Sequence, residues 1–335
     1  MTPIGDAKSN THAVELSLTS LEKILSPRTR LVAFTACSNV LGGFTPIKEA
    51  AALVKAKTNG AAWVAVDAVA FAPHRALQPK EWGVDFVLWS FYKVFGPHTG
   101  ALYISPKASS QLLSKLNHHF LHAGSGTYPY QPSSQQYELI ASIAPIVEYL
   151  VWIGQAKQSA APKTIRWKEL YQGKNHTAAG YAPKTTSGKV SNDQSSAESA
   201  SSESKESLRK ALHDSFAQIA AHEEQLSRTA IGFLTSDAMR SAGVRIVGPE
   251  SWSGSTRAPT IAFTVEGKSS AKLHAEMVRA GKMGAQQGHM YAYALVTKLG
   301  LAIEEGVVRI SLVHYNTVEE AEKVCQVIEQ AIKAV

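Results

Sequence analysis

The sequence predicts an α/β protein in which a large domain with a mainly parallel sheet precedes a smaller α+β domain. Short apolar segments recur in the first third of the chain, separated by a helical pattern or by loops, as in a parallel sheet. After a Ser-rich stretch, three further apolar segments alternate with helical patterns, which is typical of an α+β domain. The chain has 335 residues, 44% of them hydrophobic, which is enough for two cores.

Four strands are predicted in the large domain. They cover residues 31–34, 63–66, 86–89 and 101–104. Between the first two, Thr45 and Pro46 are typical of an N-cap followed by proline at the first helical position, and Gly60 ends the predicted helix. Residues 137–152 form a second helical pattern, which we expect to stop at Gly154.

Residues 155–207 are rich in Ser, Ala, Lys and Thr. We expect a flexible insertion here, because so few apolar side chains cannot offset the entropy of ordering the chain. The insertion carries +3 of the net charge of +7, so the remaining 282 residues carry only +4. A nucleic-acid partner is therefore not expected, since such a surface needs basic residues clustered on one face. The predicted domains are residues 1–154 and 208–335, on either side of the insertion.

The smaller domain is predicted to begin with a helix over residues 208–234. Its predicted strands cover residues 244–247, 260–265 and 307–313. The last helix opens with a capping box, in which Thr317 and Glu320 stand three residues apart.

Several classes of protein are excluded by composition. Cys37 and Cys325 are too few for a disulfide scaffold or a cysteine-built zinc site, and no metal site is expected. No uninterrupted apolar run approaches the ~18 residues of a membrane helix, so no membrane partner is expected. The first ten residues are polar and lack the apolar core of a signal peptide. We therefore expect a soluble cytoplasmic protein.

Polar side chains follow three of the predicted strands. Asn39 lies after the first strand, Asp67 ends the second, and the third leads into Ser90 and Lys93. Because ligands of open α/β sheets bind outside the carboxyl ends of the strands, we expect these side chains to converge on one site.

This combination of side chains suits pyridoxal phosphate. A lysine amine forms a Schiff base with the cofactor aldehyde, and a carboxylate keeps the pyridinium nitrogen protonated. Serine and asparagine can bind its phosphate and phenolic oxygen. The residues alone leave the question open, because a strand-end Asp67 is also typical of a turn and Lys93 of a solvated surface.

A resemblance adds to this interpretation. In order and spacing, the motifs resemble those of the class V aminotransferases, which are fold-type I pyridoxal phosphate enzymes that include the cysteine desulfurases. The matching motifs are Ser38–Gly42, Thr45-Pro46, Asp67, Pro73-His74, Ser90-x-x-Lys93-x-x-Gly96-Pro97, Gly288-His289, Arg309-x-Ser311 and Tyr315-Asn316-Thr317-x-Glu319-Glu320. The resemblance covers nearly the whole chain except residues 155–207.

The resemblance implies a cofactor role for several of these residues. Lys93 would be the Schiff-base lysine and Asp67 the pyridinium partner. Asn39 would bond the phenolic oxygen and Ser90 the phosphate. Tyr92 stands where desulfurases usually have a histidine, and its hydroxyl could donate toward the phosphate.

Other residues would bind the substrate or a second subunit. Arg309 matches the arginine that binds the substrate carboxylate, and His289 lies in a substrate-binding motif. Without the resemblance, Arg309 is also typical of a strand arginine paired with a nearby acid. Ser133 and Ser134 fall where the family usually has a Gly-Thr pair that reaches the neighbouring subunit's phosphate. A homodimer is therefore expected, with Ser134 as a cofactor contact.

The sequence departs from the family at three places. Tyr291 occupies the position of the desulfurase cysteine, so persulfide formation by the usual route is not expected. Ala70 replaces a glutamine that contacts the ring. The segment that precedes the first motif in the family is also missing from the large domain, so we expect apolar sheet faces and edges to be left uncovered.

The function predicted from this resemblance is that of a pyridoxal phosphate-dependent enzyme that acts on a small amino acid. Transfer or C–S lyase chemistry would run through an aldimine at Lys93. Lys93, once released, would act as the general acid and base at Cα. The alternative is a catalytically impaired paralogue that serves as a binding or dimerisation partner.

Overall fold

The computed structural model describes residues 2–3, 12, 14–114, 130–131, 136–155, 194–281 and 283–335, with side chains from residue 206 onward in the helix that begins at residue 194. The elements in chain order are β1 Thr2–Pro3, β2 Val14–Glu15, α1 Leu18–Ile24, β3 Leu31–Thr35, α2 Ile47–Lys57, β4 Trp63–Asp67, α3 Pro79–Trp82, β5 Phe86–Ser90, a 3-10 turn Phe91–Lys93, β6 Gly100–Ile104, α4 Pro106–Gln111, α5 Tyr137–Ala141, α6 Ala144–Gln155, α7 Gln194–Leu234, α8 Asp237–Ser241, β7 Val244–Val247, β8 Thr260–Val265, α9 Ser270–Gly281, β9 Gln286–Gly288, α10 Tyr293–Lys298, β10 Val307–Ser311 and α11 Val318–Ala334.

The sheet of the large domain has the order β3-β4-β5-β6. The first three strands are parallel and β6 is antiparallel. The register aligns Thr35 with Asp67 and Asp67 with Leu88. The predicted mainly parallel sheet and its four strands are confirmed.

The two faces of this sheet differ. On one face Val64, Val66 and Val87 are fully buried and pack with α2. On the other face Leu88 of β5 and Leu102 of β6 are directly opposite each other in the sheet. They nevertheless remain 40% and 54% exposed. The prediction of an uncovered apolar sheet face is therefore confirmed.

The sheet of the smaller domain has the order β7-β8-β10-β9 and is antiparallel throughout. Its core contains Ile261, Phe263 and Ile310 from the strands, together with buried side chains of α7, α9 and α11. The capping box of α11 is present, with Thr317 and Glu320 in the predicted roles. The predicted α+β architecture is confirmed.

Three local predictions need correction. Thr45 does not cap α2, because its hydroxyl donates to Thr35 O (2.6 Å) and Pro46 takes the N-cap position. Gly154 does not stop α6, which continues to Gln155. A Cβ at Gly154 would lie 1.8 Å from Ala211 O, so this glycine allows α6 and α7 to cross closely.

The apolar segment Tyr137–Gln155 was expected to form one helix, but it forms two. It is broken at residues 142–143 into α5 and α6. By length and composition alone the segment is apolar enough to cross a membrane, although Glu138 and Glu148 interrupt its apolar run. Its Ile146, Leu150 and Ile153 are buried against Val94 and Ile219, whereas the other side chains of the segment are partly or fully exposed.

The helix α7 is longer than predicted. It starts at Gln194, inside the segment expected to be a flexible insertion, and not at residue 208. The Ala and Glu residues of this stretch favour helix, which the apolar pattern alone does not register. The predicted domain boundaries stay predictions.

Candidate active site at the junction of the two domains

Asp67 and Ser90 end neighbouring parallel strands at the carboxyl edge of the large sheet. Asp67 pairs with Leu88, which lies two residues before Ser90, so the two polar side chains point to the same face. Asp67 is exposed, and its Oδ1 accepts a hydrogen bond from Val69 N (2.9 Å). The sheet thus brings together two of the predicted site residues.

Lys93 ends the 3-10 turn that follows β5, and it is exposed. Within the described residues its amine has no hydrogen-bond or ion-pair partner. The turn is stabilised by two internal hydrogen bonds, which the amides of Val94 (2.8 Å) and Gly96 (2.9 Å) donate to Phe91 O. An amine without a partner, on a hydrogen-bonded turn, is available to a ligand.

Tyr92, the neighbour of Lys93, is half exposed and stacks on His98, with ring centroids 5.2 Å apart. Its predicted contact with a phosphate stays a prediction. Ser134, a further predicted cofactor contact, lies outside the described residues.

The Asn39 loop is bound to the smaller domain. Its Nδ2 donates to Met290 O (2.7 Å), and Arg309 Nη1 donates to Asn39 O (2.8 Å). Asn39, Arg309 and the turn that contains His289 are therefore brought together. Because the Asn39 amide already has an acceptor, bonding the cofactor's phenolic oxygen requires it to leave Met290.

Two buried nitrogen atoms in this cluster have no partner among the residues that the structure describes. Within the described part of the chain, Arg309 Nε and His289 Nδ1 make no hydrogen bond. Burial lowers the pKa of Arg309. Because buried polar groups are nearly always paired, these two nitrogens have hydrogen-bonding capacity that water or a ligand can satisfy.

The turn after His289 is strained. Met290 and Tyr291 both have left-handed backbones, with φ of 49° and 62°, although neither is glycine. The Tyr291 side chain is 99% exposed. Tyr291 thus stands at an exposed, strained position beside the Arg309 cluster.

The cysteines are placed unlike nucleophiles. Burial raises the pKa of Cys37 to about 12, and that of Cys325 to about 11. Both thiols are therefore protonated at neutral pH, whereas a nucleophilic cysteine needs to be a thiolate. No group of residues able to hold a metal occurs in the described ranges.

The loop after β4 is fixed by a buried carboxylate. Glu223 of α7 contacts His74 Nδ1 (2.7 Å) and Arg75 Nη1 (2.7 Å), and Arg75 Nη2 donates to Gly254 O (2.6 Å). This network joins both domains through α7. It supports a structural role for His74.

Sequence reasoning missed a cluster next to the Lys93 turn. Phe95 packs edge-on against His314, whose Nε2 lies 2.6 Å from Tyr149 Oη. The only signal in the sequence was the position of His314 between the Arg309 and Tyr315 motifs. Its partner Tyr149 lies in α6, which no pattern related to this site.

A separate cleft of about 1030 Å³ lies between α2, α3 and α7. Its walls include Phe44, Trp82 and Phe216 and none of the predicted site residues. The chemistry-bearing residues are thus outside this cleft.

Comparison with known proteins accounts for the arrangement. The family model "Aminotransferase class-V" matches residues 7–159 and 205–324. The unmatched residues between these ranges fall within the predicted insertion. The aminotransferase-like protein FGM3 of Gibberella zeae is 34% identical over 313 residues, which are 93% of this chain and 61% of that protein. The cysteine desulfurase-like protein ustD of Aspergillus flavus is 28% identical over 318 residues, 95% of this chain and 58% of that protein.

Among solved structures, the apo cysteine desulfurase from Thermococcus onnurineus NA1 has a TM-score of 0.66 and 19% sequence identity, and the match covers 100% of this chain and 66% of that one. This similarity shows a shared fold, that of the fold-type I pyridoxal phosphate enzymes. The chain spans about three fifths of the length of the two relatives named above.

Proposed function

This chain belongs to the class-V aminotransferase family, and we propose that it is a pyridoxal phosphate-dependent enzyme that acts on an amino acid. Members of this family, including the cysteine desulfurases, depend on pyridoxal phosphate. The observation that carries the proposal is the placement of Asp67, Ser90 and Lys93 at one edge of the large sheet.

The residues present fit this cofactor. Lys93 offers an amine without a partner, and Asp67 offers a carboxylate of which only Oδ1 accepts a hydrogen bond among the described residues. Ser90 adds a hydroxyl at the same edge. Asn39 is the one predicted contact whose amide is engaged elsewhere. Three of the four groups therefore need no rearrangement to bind a ligand.

When bound, pyridoxal phosphate withdraws electrons from the bound amino acid and so acidifies its Cα–H bond. Asp67 would hold the pyridinium nitrogen, and Ser90 would donate to the phosphate. Lys93 Nζ would hold the cofactor and then move the proton at Cα. The turn that carries Lys93 is braced by main-chain hydrogen bonds, which keeps this amine near the sheet edge.

Arg309 and His289 would bind the substrate carboxylate. The guanidinium offers a planar pair of donors, and its buried Nε, which has no partner among the described residues, would donate a hydrogen bond to a carboxylate. His289 Nδ1 would add a second contact from the neighbouring turn. Together they orient Cα toward Lys93.

The reaction we propose is transamination or C–S bond cleavage and not persulfide formation. Tyr291 stands where the desulfurase cysteine is expected, and Cys37 and Cys325 are protonated at neutral pH. The cytoplasm as the location, and a small amino acid as the substrate, stay predictions.

The test is covalent capture of the cofactor. We expect a visible absorbance band when pyridoxal phosphate is added to the wild-type chain, and borohydride should fix the cofactor on the Lys93 peptide, as seen by mass spectrometry. Lys93→Ala should abolish the band. Lys80→Ala, which removes another exposed lysine, should leave it unchanged. A wild-type chain without the band would refute the proposal.

A second candidate is a binding or dimerisation partner without turnover. The exposed apolar side chains of Leu31, Leu88 and Leu102 on one sheet face favour it. Cofactor capture without product from any of the common amino acids would support this candidate over the enzyme. Sedimentation of Leu102→Glu would then test whether a homodimer uses this face, with Leu112→Glu as the control.

A further inference from the structure

His314 lies at the centre of an aromatic cluster. The ring is 1% exposed. Phe95 meets it edge-on with centroids 4.8 Å apart and an interplanar angle of 79°. Tyr149 Oη is 2.6 Å from Nε2, and Tyr315 packs edge-on at 5.5 Å. The cluster therefore joins α6, the Lys93 turn and the segment after β10.

The Lys93 turn depends on its surroundings for its shape. Phe95, two residues after Lys93, has a left-handed backbone with φ of 63°, which is unfavourable for a bulky aromatic residue. Such a conformation persists only where neighbouring groups impose it. On one side a Cβ at Gly96 would lie 2.1 Å from Ile146 Cδ1, so the turn lies flat against α6. His314 supports the Phe95 side chain from the smaller domain.

His314 itself is held in place relative to Arg309. It follows β10, the strand that carries Arg309, by three residues. Asn316 fixes this segment, since its Oδ1 accepts from Val313 N (2.9 Å) and its O lies 2.7 Å from His222 Nε2. His314 therefore connects the end of β10 to Phe95 through direct contacts.

At neutral pH the cluster carries no charge. The pKa of His314 is lowered to about 4, mainly by burial; Glu223 opposes this shift, and the neighbouring His222 and His74 add to it. Burial likewise raises the pKa of Tyr149 to about 12. The contact between the two rings is thus a hydrogen bond between neutral groups. We therefore assign His314 no role in proton transfer.

We infer that His314 is a positioning residue, which acts through Phe95 to hold the Lys93 turn in a fixed place relative to Arg309. The inference rests on the proposed function for its catalytic meaning. Its structural part, the support of the turn, can be measured without cofactor.

The first measurement is hydrogen exchange of the apo chain. In His314→Ala we expect the amides of Val94 and Gly96, which bond to Phe91 O, to exchange at least about tenfold faster. The amide of Ala50 in α2 should be unaffected. His314→Phe keeps an aromatic edge against Phe95 and should restore protection, and Tyr149→Phe should have an intermediate effect. Unchanged protection in His314→Ala would overturn the inference.

The second measurement separates capture from binding. Pyridoxal phosphate reports the rate at which Lys93 is modified, and 4'-deoxypyridoxine 5'-phosphate, which has no aldehyde, reports non-covalent affinity. We expect His314→Ala to slow capture by about tenfold or more, because misplacing a reacting group by ~1 Å can cost up to about 100-fold. Affinity for the deoxy analogue should change less than about twofold.

The outcomes distinguish the two proposals. Equal losses of capture and analogue affinity, in step with a lower unfolding midpoint, would indicate general destabilisation and overturn the inference. Another outcome is that the wild-type chain fails to capture pyridoxal phosphate while His314→Ala still shows the expected faster exchange. That result would refute the proposed function and leave the support of the turn in place.

Discussion

Arg309 Nη1 donates a 2.8 Å hydrogen bond to Asn39 O, and this bond joins the central strand region of the smaller domain to the loop after β3. The same guanidinium has a buried Nε without a partner in the described part of the chain. One side of Arg309 is thus fixed to the large domain, while its Nε has unused hydrogen-bonding capacity among the described residues.

Arg309→Lys should weaken binding of the amino-acid substrate. A lysine keeps the charge but loses the planar pair of donors, so we expect the half-saturating concentration to rise by about 10- to 100-fold, as for loss of a hydrogen bond to a charged group. Titration with the most active amino acid measures this. Arg245→Lys in β7 of the same sheet is the control, and equal behaviour of the two variants would contradict the assigned role.

Gly154→Ala should destabilise the chain. The new Cβ would meet Ala211 O at 1.8 Å, and main chain cannot yield easily, so we expect a loss of about 1–3 kcal/mol in the free energy of unfolding. Gly232→Ala in α7 has open space around its Cβ and should gain about 0.5–1 kcal/mol. Urea unfolding measures the free energy of unfolding of both variants. An unchanged value for Gly154→Ala would show that α6 and α7 are not closely packed where they cross.

Tyr291→Asn should stabilise the chain slightly. Tyr291 has a φ of 62° and an almost fully exposed side chain, so the substitution removes strain and few contacts. Asparagine tolerates the left-handed region, and we expect a gain of up to about 1 kcal/mol in the free energy of unfolding. Tyr293→Asn, at an exposed helical position, should lose stability, and a loss at both positions would mean that Tyr291 is not strained.

Stability should fall as the pH falls from about 6.5 toward 4, in part because of His314. Its folded-state pKa of about 4 lies below the model-peptide value of 6.5, so in this window the unfolded chain binds the extra proton. The contribution is fully present above the unfolded pKa and amounts to at most about 3 kcal/mol. Unfolding curves of His314→Phe should therefore depend less on pH in this window. The same slope in both chains would contradict a buried neutral imidazole.

The strands were predictable because their apolar runs are short and bounded by turn residues. Asp67 follows directly on such a run, and Lys93 lies four residues after the end of another, so both stood out as candidates. Their alignment at one edge follows from parallel pairing, which the alternation of strands and helical patterns indicates.

Other features depend on contacts between distant residues and had no local signal. Thr45 has the composition of a cap, yet its hydroxyl prefers Thr35 O, ten residues earlier. Gly154 resembles a helix stop, yet it serves the approach of α7. The pairing of His314 with Tyr149 spans 165 residues, and no spacing rule relates positions so far apart.

The 41-residue helix α7 has a mechanical consequence. Its Ile219 belongs to the core beside the Lys93 turn, and its Ile231 and Leu234 belong to the core of the smaller domain. At 1.5 Å per residue the helix is about 60 Å long, and its side chains pack directly into both cores. If one sheet rotates against the other, the helix has to bend or the side chains packed on it have to slide. We therefore expect the distance between Lys93 and Arg309 to change by a shear motion and not by a hinge in a loop.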